Sequence, residues 1–295
     1  MIISASRRTD VPAYYGDWFM NRIREGWFRS VNPFNPQQVK TYSLAREDVD
    51  AIVFWTKNPA PFLQYLDELD ERGYGYYFQF TLNDYMKLFE PGVPPLDKRI
   101  AAFGALSGRI GPQRVLWRYD PIIVSSVTPL SYHIGKIAAL AGRLRGLTTR
   151  LTISFLDFYK KVTRRLNSTE ALRDVEYYDV GIEYQGLGEF ARSVRTEALK
   201  NGMETFTCAE TRDLSPFGAS RGSCVDGALI GSLFSPEKSF PRDKHQRKEC
   251  LCSSSVDVGA YNTCPAGCVY CYANASPKTV AANVEKRHAH APSLV

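Results

Sequence analysis

Short apolar runs alternate with longer amphipathic stretches through the first two-thirds of the chain. Ile2 to Ser6 is the first run, closed by the polar segment Arg7-Arg8-Thr9-Asp10, and Pro12 then opens a helix carrying Trp18, Phe19 and Ile23. Ala51 to Trp55 repeats the unit. It ends in Thr56-Lys57-Asn58-Pro59, after which Phe62, Leu63, Leu66 and Leu69 form a helical stripe that Gly73 can stop. Further strands are predicted at Tyr76 to Leu82, Val115 to Tyr119, Leu151 to Leu156 and Thr205 to Cys208, with helices at Asp97 to Leu106, Tyr132 to Leu144 and Glu189 to Asn201. The constant order of strand, polar loop and helix favours a mostly parallel sheet over an antiparallel sandwich. The expected fold is α/β, a partial or complete (β/α) TIM-like barrel whose main part occupies residues 1–207.

In such a barrel the loops at the carboxyl ends of the strands assemble the site. Residues two apart share a strand face, so Ser4/Ser6, Gln79/Thr81, Arg118/Asp120 and Phe155/Asp157 are expected as pairs at those ends. Ser6, Arg7, Arg8, Asp10, Lys57, Gln79, Asp120 and Asp157 are the resulting candidates for a substrate pocket. For Arg118 and Asp120 a structural ion pair accounts for the residues as well as a cavity role does. Met20, Met86 and Met203 are expected as packing residues. His133 is expected on a helix surface or at a helix start. The run Lys160-Lys161-Val162-Thr163-Arg164-Arg165 reads as a solvated helix face ahead of a phosphate contact.

Composition adds boundaries. The 295 residues are 44% hydrophobic and 23% charged, enough to bury a core without disulfide staples. No apolar segment reaches the roughly 18 residues of a membrane span, and Arg7 and Arg8 interrupt the start before a secretory stretch develops, so a cytoplasmic protein with no membrane partner is expected. The net charge of +6 favours anionic partners only slightly: seven metal-bound thiolates would subtract seven charges and two dicationic clusters restore four, leaving +3.

The cysteines change the picture most. Cys208, Cys224, Cys250, Cys252, Cys264, Cys268 and Cys271 all lie in the last third, and their odd number argues against a disulfide scaffold. In Cys264-Pro-Ala-Gly-Cys268-Val-Tyr-Cys271 a compact loop carries three sulfurs, enough for three irons of a [4Fe-4S] cluster with one iron left open. Ferredoxin spacing uses four. Gly267 can ease the tight path.

This spacing resembles the signature of the radical S-adenosylmethionine superfamily, and Tyr270 matches its aromatic position before the third cysteine. The resemblance implies a [4Fe-4S] cluster on Cys264, Cys268 and Cys271, S-adenosyl-L-methionine on the open iron, and reductive cleavage to a 5′-deoxyadenosyl radical that abstracts a substrate hydrogen. The motif normally follows the first barrel strand. Here Ser255-Val256-Asp257-Val258-Gly259 and the loop come near the carboxyl terminus, which implies a circularly permuted barrel with residues 253–295 packed back into it.

Ser6-Arg7-Arg8-Thr9-Asp10, Thr56-Lys57-Asn58, Phe80-Thr81-Leu82-Asn83, Phe89-Glu90-Pro91-Gly92, Arg99 and Pro121-Ile122-Ile123 resemble, in shared order, segments of the spore photoproduct lyase branch. Ser6 to Pro12, with Cys250-Leu-Cys252 and the three-cysteine loop, resembles the DUF1848 family over nearly the whole chain. From the radical-enzyme resemblance Arg118 is expected to meet the cofactor carboxylate and Glu90 to organise a cationic or hydroxyl group, with Thr81 and Tyr270 as further cofactor contacts.

Cys208, Cys224, Cys250 and Cys252, within an auxiliary region at residues 208–252, have the number for a second [4Fe-4S] cluster or a structural zinc. A reducing partner such as a flavodoxin or ferredoxin is implied. The substrate classes are nucleic acid, peptide or small metabolite. The alternative from a different class is a nonenzymatic iron-sulfur electron-transfer protein.

Overall fold

The computed structural model describes residues 1–33, 35–181 and 184–294. Its strands are β1 Ile2–Ala5, β2 Trp27–Asn32, β3 Asn35–Ser43, β4 Ala51–Thr56, β5 Tyr76–Thr81, β6 Val115–Ile122, β7 Arg150–Phe155, β8 Glu204–Cys208, β9 Ser220–Gly222 and β10 Ser255–Asp257. The helices are α1 Val11–Tyr14, α2 Gly16–Glu25, α3 Leu66–Glu71, α4 Leu96–Ile110, α5 Leu130–Arg143, α6 Lys160–Ser168, α7 Leu187–Lys200, α8 Gly227–Phe234 and α9 Pro277–Glu285. Eight strands form one sheet in the order β10-β1-β4-β5-β6-β7-β8-β9, every neighbouring pair parallel. This is an α/β fold consistent with a barrel-like arrangement. β10 pairs with β1 from Ile2↔Ser255 to Ser4↔Asp257, so the carboxyl-terminal segment shares the sheet of the amino terminus.

Strand alternation sorts the side chains into two environments. Ile3, Ile52, Phe54, Tyr76, Phe78, Phe80, Val115, Trp117, Leu151 and Ile153 join the large core that also holds Phe103 of α4, Leu140 of α5 and Phe190 of α7. Their neighbours Ile2, Ala51, Val53, Tyr77 and Leu116 belong to a separate buried cluster with Cys224, Cys250 and Cys252. Further along the same strand faces stand Ser4, Trp55, Gln79, Arg118 and Ser154. The second face is therefore apolar at one end and polar toward the carboxyl ends.

Several local expectations change. The helix after Pro12 is two helices, because Tyr15, with φ −135°, leaves the helical path between α1 and α2. The stripe at Phe62 to Leu69 begins as a 3-10 turn, Ala60–Tyr65, before α3. The antiparallel β2/β3 hairpin and helices α8 and α9 were not anticipated. His133 lies in the first turn of α5, at the expected helix start, but is fully buried there and not on the surface: its Nδ1 accepts from Tyr119 Oη at 2.9 Å while Nε2 donates to the Ile123 carbonyl at 2.9 Å. Met20 and Met203 are buried, but Met86 is 53% exposed and packs nothing in the core. Among the described residues no helix is long and apolar enough to cross a membrane.

Candidate metal and cofactor site

All seven cysteines line one cavity of about 550 Å³ at the carboxyl ends of the strands, although they come from four separated stretches of chain. Ser6, Arg7, Arg8, Asp10, Lys57, Thr81, Arg118, Asp120, Asp157 and Tyr270 also line it. Gln79 and Glu90 lie behind residues that form its wall. A larger cleft of about 810 Å³ lies along the β2/β3 hairpin, and it reaches none of the thiols.

The three-cysteine loop is held by its backbone. Gly92 N donates to the Ala266 carbonyl at 2.9 Å and Val269 N to the Phe89 carbonyl at 3.1 Å, which ties the loop to the Phe89-Glu90-Pro91-Gly92 segment. The approach is so close that a Cβ at position 92 would sit 2.6 Å from the Ala266 oxygen, and Gly267 adopts a φ of +69°. From the other side Arg165 of α6 donates to the carbonyls of Cys268, Val269 and Cys271 at 3.1–3.2 Å and of Asn274 at 2.6 Å, while Asn274 Nδ2 donates to the Cys264 carbonyl at 2.7 Å. With their carbonyls so engaged, the loop presents sulfur to the cavity. Burial pushes the Cys264 thiol up to about 12 and the Cys268 thiol higher still. A bound cation would supply the charge compensation those thiolates lack.

Lys57 and Tyr270 stand beside this loop. The Lys57 ammonium lies 2.9 Å from Glu90 and 5.5 Å from the Tyr270 ring centre, and Tyr270 donates its hydroxyl to the same carboxylate. Burial alone would raise the Glu90 carboxyl, but Lys57, Arg99 and the Tyr270 hydrogen bond pull it below its ordinary value. Glu90 Oε2 and Arg99 Nη1 face each other at 3.7 Å without a hydrogen bond.

The four-cysteine set is assembled by the fold. Cys208 ends β8, Cys224 follows β9, and Cys250 and Cys252 precede β10. Cys208 Sγ is 2.7 Å from Cys224 Sγ, and the amides of Cys224 and Val225 point at Cys252 Sγ at 3.3 and 3.5 Å. Arg118 places Nη1 2.6 Å from Cys224 Sγ and Nε 3.1 Å from Asp120 Oδ2, and Ser154 Oγ donates to the other Asp120 oxygen at 2.5 Å. Arg118 is thus an ion-pair member and a cavity wall at once. It faces the four-cysteine side. Arg7 and Arg118 both lie over the Trp55 ring, at 5.4 and 5.2 Å. Burial opposes both guanidinium charges, yet the nearby thiols and carboxylates, Cys252 and Asp257 for Arg7 and Cys224 and Asp120 for Arg118, raise them above the ordinary arginine value. Gln79 donates to the Cys224 carbonyl at 2.7 Å and leaves its own oxygen unpartnered.

The remaining candidates have local structural partners. Asp10 caps α1 through Ala13 N at 3.1 Å and accepts Lys57 N at 2.8 Å, and burial lifts it to about 6. Ser6 Oγ donates to Asp257 at 2.6 Å, as Ser4 Oγ does at 3.2 Å. Arg8 stacks over Tyr261 at 4.9 Å. At β7 the polar inward residue is Ser154, because Phe155 packs on Phe190 and Asp157 pairs with Arg247 at the rim. Arg165, expected on a solvated helix face, instead clamps the loop carbonyls, and Trp55, Asn274 and Asp257 were not anticipated at the site. Only Asp257-x-Gly259 directly after a predicted strand offered a signal, since Asp257 accepts Gly259 N at 2.9 Å and Arg7 N at 3.0 Å.

A family model described as "Domain of unknown function (DUF1848)" matches residues 2–273. The chain belongs to the DUF1848 family. The family match begins at β1 and ends two residues after Cys271, so both cysteine sets and the whole sheet fall inside it. No curated protein and no solved structure matches the chain.

Among the described residues no three His, Cys, Asp or Glu side chains converge as ligands of one metal ion. The fit to an iron-sulfur group rests instead on donor chemistry. Seven soft thiol ligands share a cavity, three of them on a loop whose backbone is held apart from it, beside buried positive charge.

Proposed function

We propose that this DUF1848 chain is a radical S-adenosylmethionine enzyme on a circularly permuted TIM-like barrel. The observation that carries the reading is the Cys264-x-x-x-Cys268-x-x-Cys271 loop, which lines a strand-end cavity together with residues from β4 to β8. The permutation is supported by the place of β10, the strand that leads into the loop, directly beside β1.

Cys264, Cys268 and Cys271 would hold a [4Fe-4S] cluster, and Thr81 and Tyr270 would face S-adenosyl-L-methionine, while Arg118, engaged by Cys224 and Asp120, would stand on the side of the other four cysteines. Such a cluster, given one electron by a flavodoxin or ferredoxin, would supply reductive cleavage of S-adenosyl-L-methionine and so the capacity to abstract a hydrogen atom from a substrate. The chain's own work is positional. Glu90, fixed by Arg99, orients the Lys57 ammonium and the Tyr270 hydroxyl at the cavity wall. Arg165 and Asn274 keep the loop carbonyls occupied, and Tyr85, Phe89 and Val269 pack behind it in a buried cluster that excludes water. Cys208, Cys224, Cys250 and Cys252 would hold a second [4Fe-4S] cluster, with zinc as the rival occupant.

The test is anaerobic reconstitution with iron and sulfide, followed by measurement of 5′-deoxyadenosine after addition of S-adenosyl-L-methionine and dithionite. Formation of 5′-deoxyadenosine that is lost in each of Cys264→Ala, Cys268→Ala and Cys271→Ala is expected. Its absence in fully loaded wild type would favour an electron-transfer protein, and wild-type-like formation in the triple variant would overturn the assignment of the loop.

A further inference from the structure

Helix α6 is built against the rules that stabilise helices. Lys160 and Lys161 occupy its first turn, where the helix dipole disfavours cations, and it carries no acidic residue there. Lys160/Arg164 and Lys161/Arg165 are like-charged pairs four residues apart, each a small further cost. Among the described residues neither Lys160 nor Arg164 has an ion-pair partner, whereas Arg24, Arg109 and Arg143 on other helices pair with Glu68, Asp67 and Asp97. The helix is held instead by Val162 and Leu166, buried in the cluster that contains Cys268, Val269 and Tyr270. A face that gives up local stability to concentrate positive charge marks a functional surface.

Its position indicates what the surface serves. Arg165, one residue after Arg164, hydrogen-bonds the carbonyls of Cys268, Val269 and Cys271. Lys160 and Arg164 are exposed on the side of the helix turned from that loop, and the half-buried Lys161 lies on the same side as Arg165. Lys161 extends the patch by stacking on Tyr261 at 5.5 Å, the same ring that Arg8 covers.

We infer that the exposed basic side of α6, Lys160 and Arg164 with Lys161 at its edge, is the docking surface for the electron donor, a small acidic flavin or iron-sulfur carrier protein. This rests on the proposed function. The donor's reduced centre gives up one electron, the cluster held by Cys264, Cys268 and Cys271 accepts it, and no atom is transferred. Complementary charge brings the carrier to the side of the molecule where that loop is one side chain away, with an on-rate that falls as salt rises.

The experiment compares reconstituted wild type with K160E/K161E/R164E and the milder K160Q/K161Q/R164Q. All three residues lie outside the cavity, and glutamates in the first turn suit the helix. Calorimetric affinity for a flavodoxin at low salt should fall at least tenfold in the glutamate variant and by an intermediate factor in the glutamine variant, with a flatter salt dependence. Formation of 5′-deoxyadenosine driven by reduced flavodoxin should fall in parallel, while dithionite-driven formation stays within twofold. Unchanged flavodoxin affinity overturns the proposal. So does unchanged flavodoxin binding combined with lost retention of duplex DNA or RNA, which would assign the face to nucleic acid. Absence of dithionite-driven product in wild type would sink the enzyme reading, and the affinity comparison would still decide the docking surface.

Discussion

The two cysteine sets share a cavity but are made in opposite ways. Cys264, Cys268 and Cys271 lie within one loop that is held by its backbone: carbonyls taken by Arg165, Asn274 and the Gly92 amide, and the Val269 amide tied to the Phe89 carbonyl. Cys208, Cys224, Cys250 and Cys252 arrive from the end of β8, the loop after β9 and the segment before β10, and what surrounds them is side chain: Arg118, Arg7, Trp55 and Gln79. The electrostatics differ accordingly. Burial raises Cys264 and Cys268, whereas the second set is split by its mutual sulfur hydrogen bonds: Cys208 falls to about 7 and Cys252 falls further, while Cys224 and Cys250 rise. A local loop can be preset by chain geometry, but a dispersed set depends on the strands that carry it.

The comparison is broken most directly by counting metal. Anaerobically reconstituted wild type should hold about eight irons and eight sulfides per chain, and both C264A/C268A/C271A and C208A/C224A/C250A/C252A should hold about four. Full retention of iron by the four-cysteine variant, with zinc lost, would make that site structural.

A second measurement sharpens the contrast in support. Arg118→Ala takes the cation from Asp120, whose side chain is 25% exposed, and should cost about 1.5–3 kcal/mol in denaturant unfolding, with loss of metal from the four-cysteine set. Arg165→Ala removes charged hydrogen bonds to four loop carbonyls and should cost about 2–3 kcal/mol, with iron lost from the three-cysteine loop alone. Equal losses from both sites in either variant would mean the sets are not independently held.

Acid sensitivity provides a baseline common to both regions, with no expected effect on metal content. His133 is held neutral by burial, with a pKa near 4 against an ordinary value of 6.5. Because its folded value is depressed, the unfolded chain binds the extra proton first. Its contribution is therefore fully present above pH 6.5 and is lost as pH falls toward 4, up to about 3 kcal/mol. His133→Gln should flatten the stability profile across that window without changing metal content. An unchanged slope would place the acid response elsewhere.

The strands of the main sheet were legible because their positions carry strong signals: Ala51 to Trp55 and Tyr76 to Leu82 are too apolar for loops and too short for helices. The β2/β3 hairpin was not, because Arg29, Gln37, Gln38 and Lys40 leave its alternation largely polar and solvent-facing. The burial of His133, at the start of α5, was missed for a related reason. A single polar residue on a helix reads as exposed unless its partners are known, and those partners, Tyr119 and Ile123, come from β6 and the loop after it.

What the sequence determined by itself is local: the spacing of three thiols on one loop, the glycine that lets it turn, and the order of strand and helix. Convergence of all seven cysteines on one cavity was decided by tertiary structure. So were the commitment of Arg118 to Cys224 and Asp120, the retreat of Glu90 behind Lys57 and Tyr270, and the use of Arg165 as a clamp on the loop. Local spacing fixes only what a few bonds can constrain. Contacts between residues such as Arg165 and Cys268, 103 positions apart, exist because a parallel sheet brings distant strand ends to the same face.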